Sequence, residues 1–393
     1  MPRFRIIILG FFVIWLTPLF SVSAEPLAQS TDLLQGPLLI TNTPAQDGFL
    51  IIDLASGQQR TLAFGPGNHY IGGFSPDGCQ IVFTWEQRPG YGDLYTARLD
   101  GSQLHRLLDL GPTGALSYRA WEPEWSPDGS KIVFTLIRYY DPPDQEPSRT
   151  SHIAWVTPQG GDPQFYSNSG MESQPRWSSD GRRLVYVSNQ PVLEATPEAE
   201  NASGEAIEGK PELWVVGADG QDKFRLTSFA SNAVYNPRWS PTDFYIAFVF
   251  QTMPNFHQLM FVPTDGSGGT IVVNEQAGTV LDYVWQPTGE ALIAAIQNYG
   301  GEVRNMLWRM PLPNGGIPTL FITNPSSQYH DYPRFSADGR WLAFRAGYEL
   351  QVYDTVLGEL QAFGPTTLNN NPPVWSPKGF QGEVTCSSVP LST

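Results

Sequence analysis

The sequence Trp-Ser-Pro-Asp-Gly at residues 125–129, followed by Ile-Val-Phe at 132–134, is the clearest copy of a pattern that recurs along the chain. In such a stretch Pro fixes φ at the first corner of a turn, Asp can accept hydrogen bonds from the backbone beyond it, and Gly tolerates positive φ. The β-branched and aromatic residues that follow are typical of a strand. Each copy therefore predicts a β-hairpin whose two strands flank the turn.

Seven copies of the pattern are spaced 40 to 62 residues apart, and each begins at an aromatic residue: Phe74, Trp125, Trp177, Trp239, Trp285, Phe335 and Trp375. Copies before the last are followed by a second hairpin, as at Leu94-Tyr95 before Asp100-Gly101. Four strands in a repeat of roughly 50 residues make one blade of a β-propeller. The chain is therefore predicted to be an all-β propeller of four-stranded blades.

The two ends of the repeat region complement each other. Three strand-like runs at 38–41, 49–53 and 60–63 precede the first copy of the motif, whereas the last copy, at Trp375, has no complete second hairpin after it. We infer that the C-terminal strand completes the N-terminal blade, which removes two exposed sheet edges. This predicts a seven-bladed ring over residues 38–380, closed by strands from both ends.

The N-terminus has the form of a secretory signal peptide. Residues 1–5 carry two arginines, 6–20 are mostly apolar, and 22–24 are small or short side chains ahead of Glu25. The apolar run is shorter than the about 20 residues that a membrane span needs. We predict a signal peptide at 1–24, a linker at 25–37, a tail at 381–393, and a periplasmic or secreted protein that is not membrane-embedded after cleavage.

Composition and charge limit the classes of partner. The chain has 38 Gly, 35 Pro and only 16% charged residues, which suits short strands and tight turns better than long helices. Its formal charge is −15, and −17 without Arg3 and Arg5 of the signal peptide. Such a surface repels phosphate backbones, so nucleic acid is not expected as a partner.

The repeated Trp-Ser-Pro-Asp-Gly followed by Ile-Val-Phe resembles the propeller repeat of the TolB-like family, which also occurs in tricorn-type and dipeptidyl-peptidase-type propellers. The resemblance covers nearly the whole chain after the signal peptide and implies a fold more than an activity. Peptidases with such propellers carry a Gly-x-Ser-x-Gly nucleophile motif, which this sequence lacks. We therefore predict a binding module for a protein, peptide or glycan, rather than an enzyme, with no cofactor.

The candidate binding residues lie in the loops that enter the innermost strand of each blade, because these loops surround one mouth of the central channel. The predicted ligand-binding residues are His69, Tyr70, Trp121, Glu122, Glu172, Tyr235, Asn236, Asp282, Tyr283, His330, Asp331, Tyr332 and Asn370. Gln174 and Asn371 lie in the same loops. The arginines directly before three motif aromatics, Arg176, Arg238 and Arg334, could face the channel or pair with carboxylates on adjacent blades, and pairing is the favoured interpretation.

An alternative function is a metal-dependent polysaccharide lyase, since some oligogalacturonate lyases resemble this architecture and hold a metal with histidines. Here only His69 and His330 lie in the entry loops, which is too few for that pattern, so no metal is predicted.

The two cysteines, Cys79 and Cys386, leave two alternatives open. They could form a bridge between neighbouring blades in an oxidising compartment. They could also lie at opposite ends of their strands, roughly 15–20 Å apart at about 3.3 Å per residue, too far for a disulfide. The second alternative, free thiols, is favoured.

Overall fold

The structure of the protein is a computed structural model, which describes residues 34–109, 116–144, 146–167, 169–189, 210–229, 233–273, 278–298, 304–312, 317–322, 329–365, 371–377, 380 and 386. The signal peptide predicted at 1–24 lies outside the described residues, as does most of the predicted linker and tail.

The described residues form 28 β-strands and no α-helix, so this part of the chain has no helix that could cross a bilayer. The first half of the strands are β1 (Leu38–Asn42), β2 (Gly48–Asp53), β3 (Gln59–Ala63), β4 (Asn68–Phe74), β5 (Gln80–Arg88), β6 (Tyr91–Arg98), β7 (His105–Arg106), β8 (Leu116–Trp125), β9 (Ile132–Tyr140), β10 (Ser148–Thr157), β11 (Gly160–Phe165), β12 (Glu172–Trp177), β13 (Arg183–Ser188) and β14 (Glu212–Gly217). The second half are β15 (Phe224–Arg225), β16 (Ala233–Trp239), β17 (Tyr245–Met253), β18 (Phe256–Pro263), β19 (Ile271–Val272), β20 (Thr279–Trp285), β21 (Ala291–Asn298), β22 (Arg304–Pro311), β23 (Thr319–Ile322), β24 (His330–Phe335), β25 (Trp341–Ala346), β26 (Glu349–Asp354), β27 (Glu359–Pro365) and β28 (Val374–Trp375).

The strands pair in antiparallel groups of four. Five groups are separate sheets, with strand orders β28-β1-β2-β3, β12 to β15, β16 to β19, β20 to β23 and β24 to β27. A sixth sheet of eight strands joins two further groups, β4 to β7 and β8 to β11, through one parallel pairing of Gly92 with Arg119. We call β4, β8, β12, β16, β20, β24 and β28 the first strands, and every one of them ends on a motif aromatic.

The turns after Phe74, Trp125, Trp177 and Phe335 are each held by their own Ser and Asp side chains. In the copy at 125–129, Ser126 Oγ donates to Asp128 Oδ1 at 2.6 Å and accepts from the main-chain N–H of Lys131 at 2.9 Å. Gly129 has φ of 73°, and its N–H donates to the Ser126 carbonyl at 2.9 Å. A residue with a Cβ is strained at this φ, so Gly suits the position. These local bonds explain why the first strand ends at the aromatic residue.

The apolar run after each of the first six turns is buried on both of its faces. Ile132, Val133 and Phe134 of β9 are fully buried. Val133 packs with Leu184 of the following group, whereas its two neighbours pack with Val82 of the preceding group. Because successive side chains of a strand point to opposite faces, one strand contributes to two cores, each buried aliphatic or aromatic side chain stabilising by about 1.5–3 kcal/mol.

Three motif tryptophans also bond one group of strands to the one before it. Their indole N–H groups donate to main-chain carbonyls, in the pairs Trp239 with Arg176 at 3.0 Å, Trp285 with Arg238 at 3.2 Å, and Trp375 with Arg334 at 2.9 Å. These three motif tryptophans therefore lie between neighbouring groups of strands and join them.

The two ends of the repeat region pair with each other. Strand β28 lies antiparallel to β1, with Trp375 opposite Leu39 and Val374 opposite Ile40. The main-chain N–H of Leu38 donates to Ser376 Oγ at 3.0 Å. Strand β28 also contacts the first strands β4 and β24. The expected pairing of the last motif with the N-terminal strands is therefore present.

The expectation of free thiols is wrong, because Cys79 and Cys386 form a disulfide with their Cα atoms 5.3 Å apart. Phe380 packs against Gly78, directly before Cys79, and the Arg98 guanidinium donates to the carbonyl of Cys386. Phe380 and Cys386, which follow β28, thus lie at the Asp-Gly turn beside Cys79, so the two cysteines are not at opposite ends of their strands.

Candidate functional site

The seven first strands meet around one cavity of about 610 Å³, which we call the first-strand cavity. Six of them contribute the residue three positions before the motif aromatic, and β28 contributes Val374, with Pro372 just before the strand in the equivalent position: Ile71, Glu122, Gln174, Asn236, Asp282, Tyr332 and Pro372. Six of these strands have an irregular register at or next to this point. A β-bulge redirects a side chain, and here the irregularities lie where side chains line the cavity.

Four of the cavity residues have a left-handed backbone although they are not glycine. The φ angles of Glu122, Gln174, Asn236 and Tyr332 lie between 52° and 58°. Such residues cost about 1–3 kcal/mol each and persist only where their surroundings hold them. Hydrogen bonds fix two of these residues: the N–H of Asn236 donates to Gln174 Oε1 at 2.6 Å, and the N–H of Gln174 donates to Thr135 Oγ1 at 3.2 Å.

Asp282 lies buried in the cavity wall between two arginines. Arg238 Nη2 lies 2.9 Å from its Oδ1, Arg334 Nη1 lies 2.8 Å from its Oδ2, and Asn236 Nδ2 donates to Oδ1 at 3.0 Å. Burial alone would raise the pKa of Asp282, but the Arg334 and Arg238 guanidinium groups outweigh it and hold that pKa below its ordinary value. Burial and the neighbouring Arg238 together lower the pKa of Arg334 to about 10.

The third arginine, Arg176, lies near two carboxyl groups without bonding closely to either. Its guanidinium nitrogens are 3.8 Å from Glu122 and 3.9 Å from Glu124. Burial raises the pKa of Glu124 to about 7 in spite of the nearby Arg176, and burial also raises the pKa of Glu122. Near neutral pH the Glu124 carboxyl is therefore only partly charged.

Aromatic residues form another part of the wall. Tyr70 and Trp121 meet edge to face, with ring centroids 4.4 Å apart, and the Arg119 guanidinium lies over Trp121 at 4.0 Å. Elsewhere in the wall, the hydroxyl of Tyr235 is hydrogen-bonded to His257 Nδ1 at 2.7 Å. Burial, with a smaller contribution from Asp282, raises the pKa of Tyr235 to about 12.

The structure brings together about half of the side chains predicted to bind a ligand. Those that line the first-strand cavity are Tyr70, Trp121, Glu122, Tyr235, Asn236, Asp282 and Tyr332. Those outside its lining are His69, Glu172, Tyr283, His330 and Asp331. Asn370 lies outside the described residues, while its neighbour Asn371 lines the cavity.

The predicted residues outside the cavity have structural partners. The Tyr283 hydroxyl lies 2.6 and 2.7 Å from the carbonyl oxygens of Asn236 and Ala247, which share its one donor. Buried Glu172 accepts from the main-chain N–H of Ser169 at 3.0 Å, and Asp331 accepts from Arg345 Nε at 2.8 Å. The remaining two, His69 and His330, are buried among aromatic rings: stacked with Trp85 and edge-on to Phe344.

The histidines on which the lyase alternative depended therefore lie outside the cavity lining. Burial lowers the pKa of His330 to about 4, and it lowers the pKa of His69 as well, so both rings are neutral near pH 7. Within the described parts of the chain, no three His, Cys, Asp or Glu side chains converge as metal ligands would. No observation favours the lyase alternative.

The sequence-based prediction left out part of the lining. It also treated channel lining and ion pairing as alternatives for three arginines that do both. Arg176, Arg238 and Arg334 both pair with carboxylates of adjacent groups and line the cavity, and Glu124, in the corresponding position of β8, was not singled out. A constant offset, one or three residues before the motif aromatic, identifies most of the lining and is visible in the sequence.

No protein-family model matches the chain. Among curated proteins, it is 30% identical over 147 residues to an uncharacterized protein of Agrobacterium fabrum, covering 36% of this chain and 47% of that protein. It is 23% identical over 227 residues to the uncharacterized peptidase YuxL of Bacillus subtilis, covering 57% of this chain and 29% of that protein. The chain thus spans less than half the length of these curated relatives.

Among solved structures, a prolyl endopeptidase gives a TM-score of 0.56 at 12% identity, over 86% of this chain and 51% of that chain. The oligogalacturonate lyase of Vibrio parahaemolyticus gives 0.54 at 12% identity, over 79% and 88%. TolB of Acinetobacter baumannii gives 0.47 at 16% identity, over 86% and 82%. At such identities a likeness shows the fold alone, and four-stranded sheets arranged around one cavity make that fold a β-propeller.

Proposed function

We propose that the chain is a seven-bladed β-propeller of the TolB-like kind, with its ring closed by strands from both ends. Three observations support this: the 28 strands fall into seven groups of four, β28 shares a sheet with β1, and all seven first strands line one cavity. Closure in this way removes exposed sheet edges. An experimental structure with six or eight blades would contradict the proposal.

The protein is further proposed to be exported to the periplasm or secreted, after cleavage following Ala24. The sequence of residues 1–24 supports this, as does the disulfide between Cys79 and Cys386, because disulfides persist in oxidising compartments. The formal charge of −15 argues against nucleic acid as a partner. N-terminal sequencing of the exported protein checks the cleavage site, and a mature chain that begins at Met1 contradicts it.

The role proposed for the protein is binding of a protein, peptide or glycan in the first-strand cavity, rather than catalysis. The observation that carries it is that four of the eight non-glycine residues with left-handed backbone in the described chain line this one cavity, at the same position of four first strands. Backbone strain of this kind clusters at ligand sites, where it aims side chains that a regular strand would turn away. The cavity volume of about 610 Å³ lies in the range of ligand pockets.

A matched pair of leucines tests this role. Leu281 lines the cavity and Leu320 lies on the outer strand β23, and both are partly exposed. Labelled wild-type protein is applied to glycan and peptide arrays beside the variants Leu281→Trp and Leu320→Trp. We expect the cavity-filling Leu281→Trp to abolish specific signals and Leu320→Trp to retain them. Signals that survive in folded Leu281→Trp place binding elsewhere and contradict the proposed site.

A further inference from the structure

Three arginines line the first-strand cavity of a chain whose formal charge is −15. They are Arg176 on β12, Arg238 on β16 and Arg334 on β24, and their side chains keep 28%, 19% and 18% exposure. Holding like charges together in a half-buried wall is unfavourable unless counter-charges accompany them. The local charge of the cavity therefore differs from that of the whole surface.

The carboxylates near the three arginines leave some of the guanidinium N–H donors without a carboxylate partner. In the described part of the chain, Asp282 is the one carboxylate within hydrogen-bond distance of any of these three arginines, and Arg238 and Arg334 share it. The carboxyl groups near Arg176, at 3.8 and 3.9 Å, are beyond that distance. Since each guanidinium carries five N–H donors, the site retains donors for an oxyanion, which a planar guanidinium binds in bidentate fashion.

The aromatic part of the wall is partly covered by cations. The Arg119 guanidinium lies over one face of Trp121 at 4.0 Å, and the Arg345 guanidinium lies over Tyr332 at 4.8 Å. The wall also contains the amide side chains of Gln174 and Asn371. Such amides can pair with the N–H and C=O groups of a peptide backbone. The arginines and amides together therefore match a ligand that has both a carboxylate and backbone amides, as a peptide does.

We propose that the first-strand cavity captures a peptide by its free C-terminal carboxylate, which is held by the guanidinium groups of Arg176, Arg238 and Arg334. This inference rests on the binding role proposed above and specifies the class of ligand. Asp282 holds two of the arginines in position, while Arg176, whose Nη1 donates to the Pro175 carbonyl at 2.8 Å, offers its remaining donors to the ligand.

The test compares two mixtures of short random peptides, one with free C-terminal acids and one amidated, by fluorescence anisotropy on the purified full chain. A third arm uses oligosaccharides of glucuronic acid, which carry the same carboxylate on a sugar. We expect the acid peptides to bind and amidation to weaken binding about tenfold or more, because charge-assisted hydrogen bonds are lost. Arg176→Gln should have a similar effect, with part of the affinity retained in Arg176→Lys.

The matched control is Arg106→Gln, since Arg106 lies on the outer strand β7 in an exposed ion pair with Asp109. It should leave peptide binding unchanged. Equal binding of acid and amidated peptides overturns the carboxylate inference but leaves the binding role standing. Binding of the glucuronic acid oligosaccharides without the peptides overturns the peptide as ligand. No binding in any arm by folded protein overturns the inference, and the lack of array signals described above would then also remove the binding role.

Discussion

The carboxyl group of Glu124 lies in the wall of the first-strand cavity, where burial disfavours its charged form. Its surroundings are the cations Arg176 and Arg238 and a second carboxyl group, Glu122. The arginines favour the charged form, but burial is the larger influence and raises the pKa to about 7 from an ordinary 4.5. The folded protein thus binds this proton more tightly than the unfolded chain does.

Stability should depend on pH through this residue. The stabilisation from the proton on Glu124 is complete below about pH 4.5 and is lost as the pH rises through about 7. Between about pH 4.5 and 7, the melting temperature of the wild type should therefore fall relative to that of Glu124→Gln. Above this range, the difference between the two melting temperatures should stay constant. Glu290→Gln is the control, because Glu290 is exposed. Parallel melting curves for wild type and Glu124→Gln across the whole range would contradict the prediction.

In contrast to Glu124, Asp282 is a buried carboxylate whose charged form is favoured by two neighbouring arginines. Asp282→Asn leaves Arg238 and Arg334 near each other without a close counter-charge. Removing one partner of a buried ion pair typically lowers the free energy of unfolding by about 3–5 kcal/mol. Chemical denaturation measures it. Asp109→Asn, which breaks the exposed pair with Arg106, should cost less than about 1 kcal/mol, and an equal loss in the two variants would refute the role of Asp282.

At the scale of strands, the first strand of each group performs two tasks. Its last residue, the motif aromatic, packs between groups, and its irregular middle lines the cavity. Two buried tryptophans in this position differ in one respect. The indole N–H of Trp239 donates to the carbonyl of Arg176 at 3.0 Å, whereas that of Trp177 has no partner among the described residues.

This difference gives a matched pair of substitutions. Trp239→Phe loses a hydrogen bond and leaves the Arg176 carbonyl without its indole donor, whereas Trp177→Phe removes a buried N–H that is already unsatisfied. Both lose similar packing area. We expect Trp239→Phe to be more destabilising by about 1 kcal/mol, measured as the difference in free energy of unfolding. A larger loss for Trp177→Phe would show that the indole bond contributes little.

At the scale of the whole molecule, the two ends of the chain are joined both by strand pairing and by a covalent bond. Strand β28 pairs with β1, and Cys386 is bonded to Cys79, 307 residues away in sequence. A cross-link over so long a segment restricts the unfolded chain far more than the folded one.

Replacing both cysteines, as Cys79→Ser with Cys386→Ser, should therefore lower the free energy of unfolding by about 2–5 kcal/mol without changing the fold. Circular dichroism checks the fold, and chemical denaturation measures the loss. Reduced wild-type protein should match the double variant. Two reactive thiols in denatured, unreduced wild type would contradict the bond itself.

The repeat unit and the end of each first strand were predictable from local sequence. Four of the turns after the motif aromatics are held by their own Ser and Asp residues, as Ser126 and Asp128 show, so their geometry follows from local hydrogen bonding. The pairing of the last motif with the N-terminal strands was predictable for a related reason, since three strands without a fourth leave an exposed edge.

The ion pairs within the cavity and the disulfide between the two cysteines depend on tertiary structure. The irregular register of the first strands turns Tyr332 into the cavity, while His330, two residues earlier, packs edge-on to Phe344. The partners of Asp282 come from two other groups of strands. Contacts of this kind join residues far apart in sequence, and they depend on how neighbouring sheets pack, which no local pattern encodes.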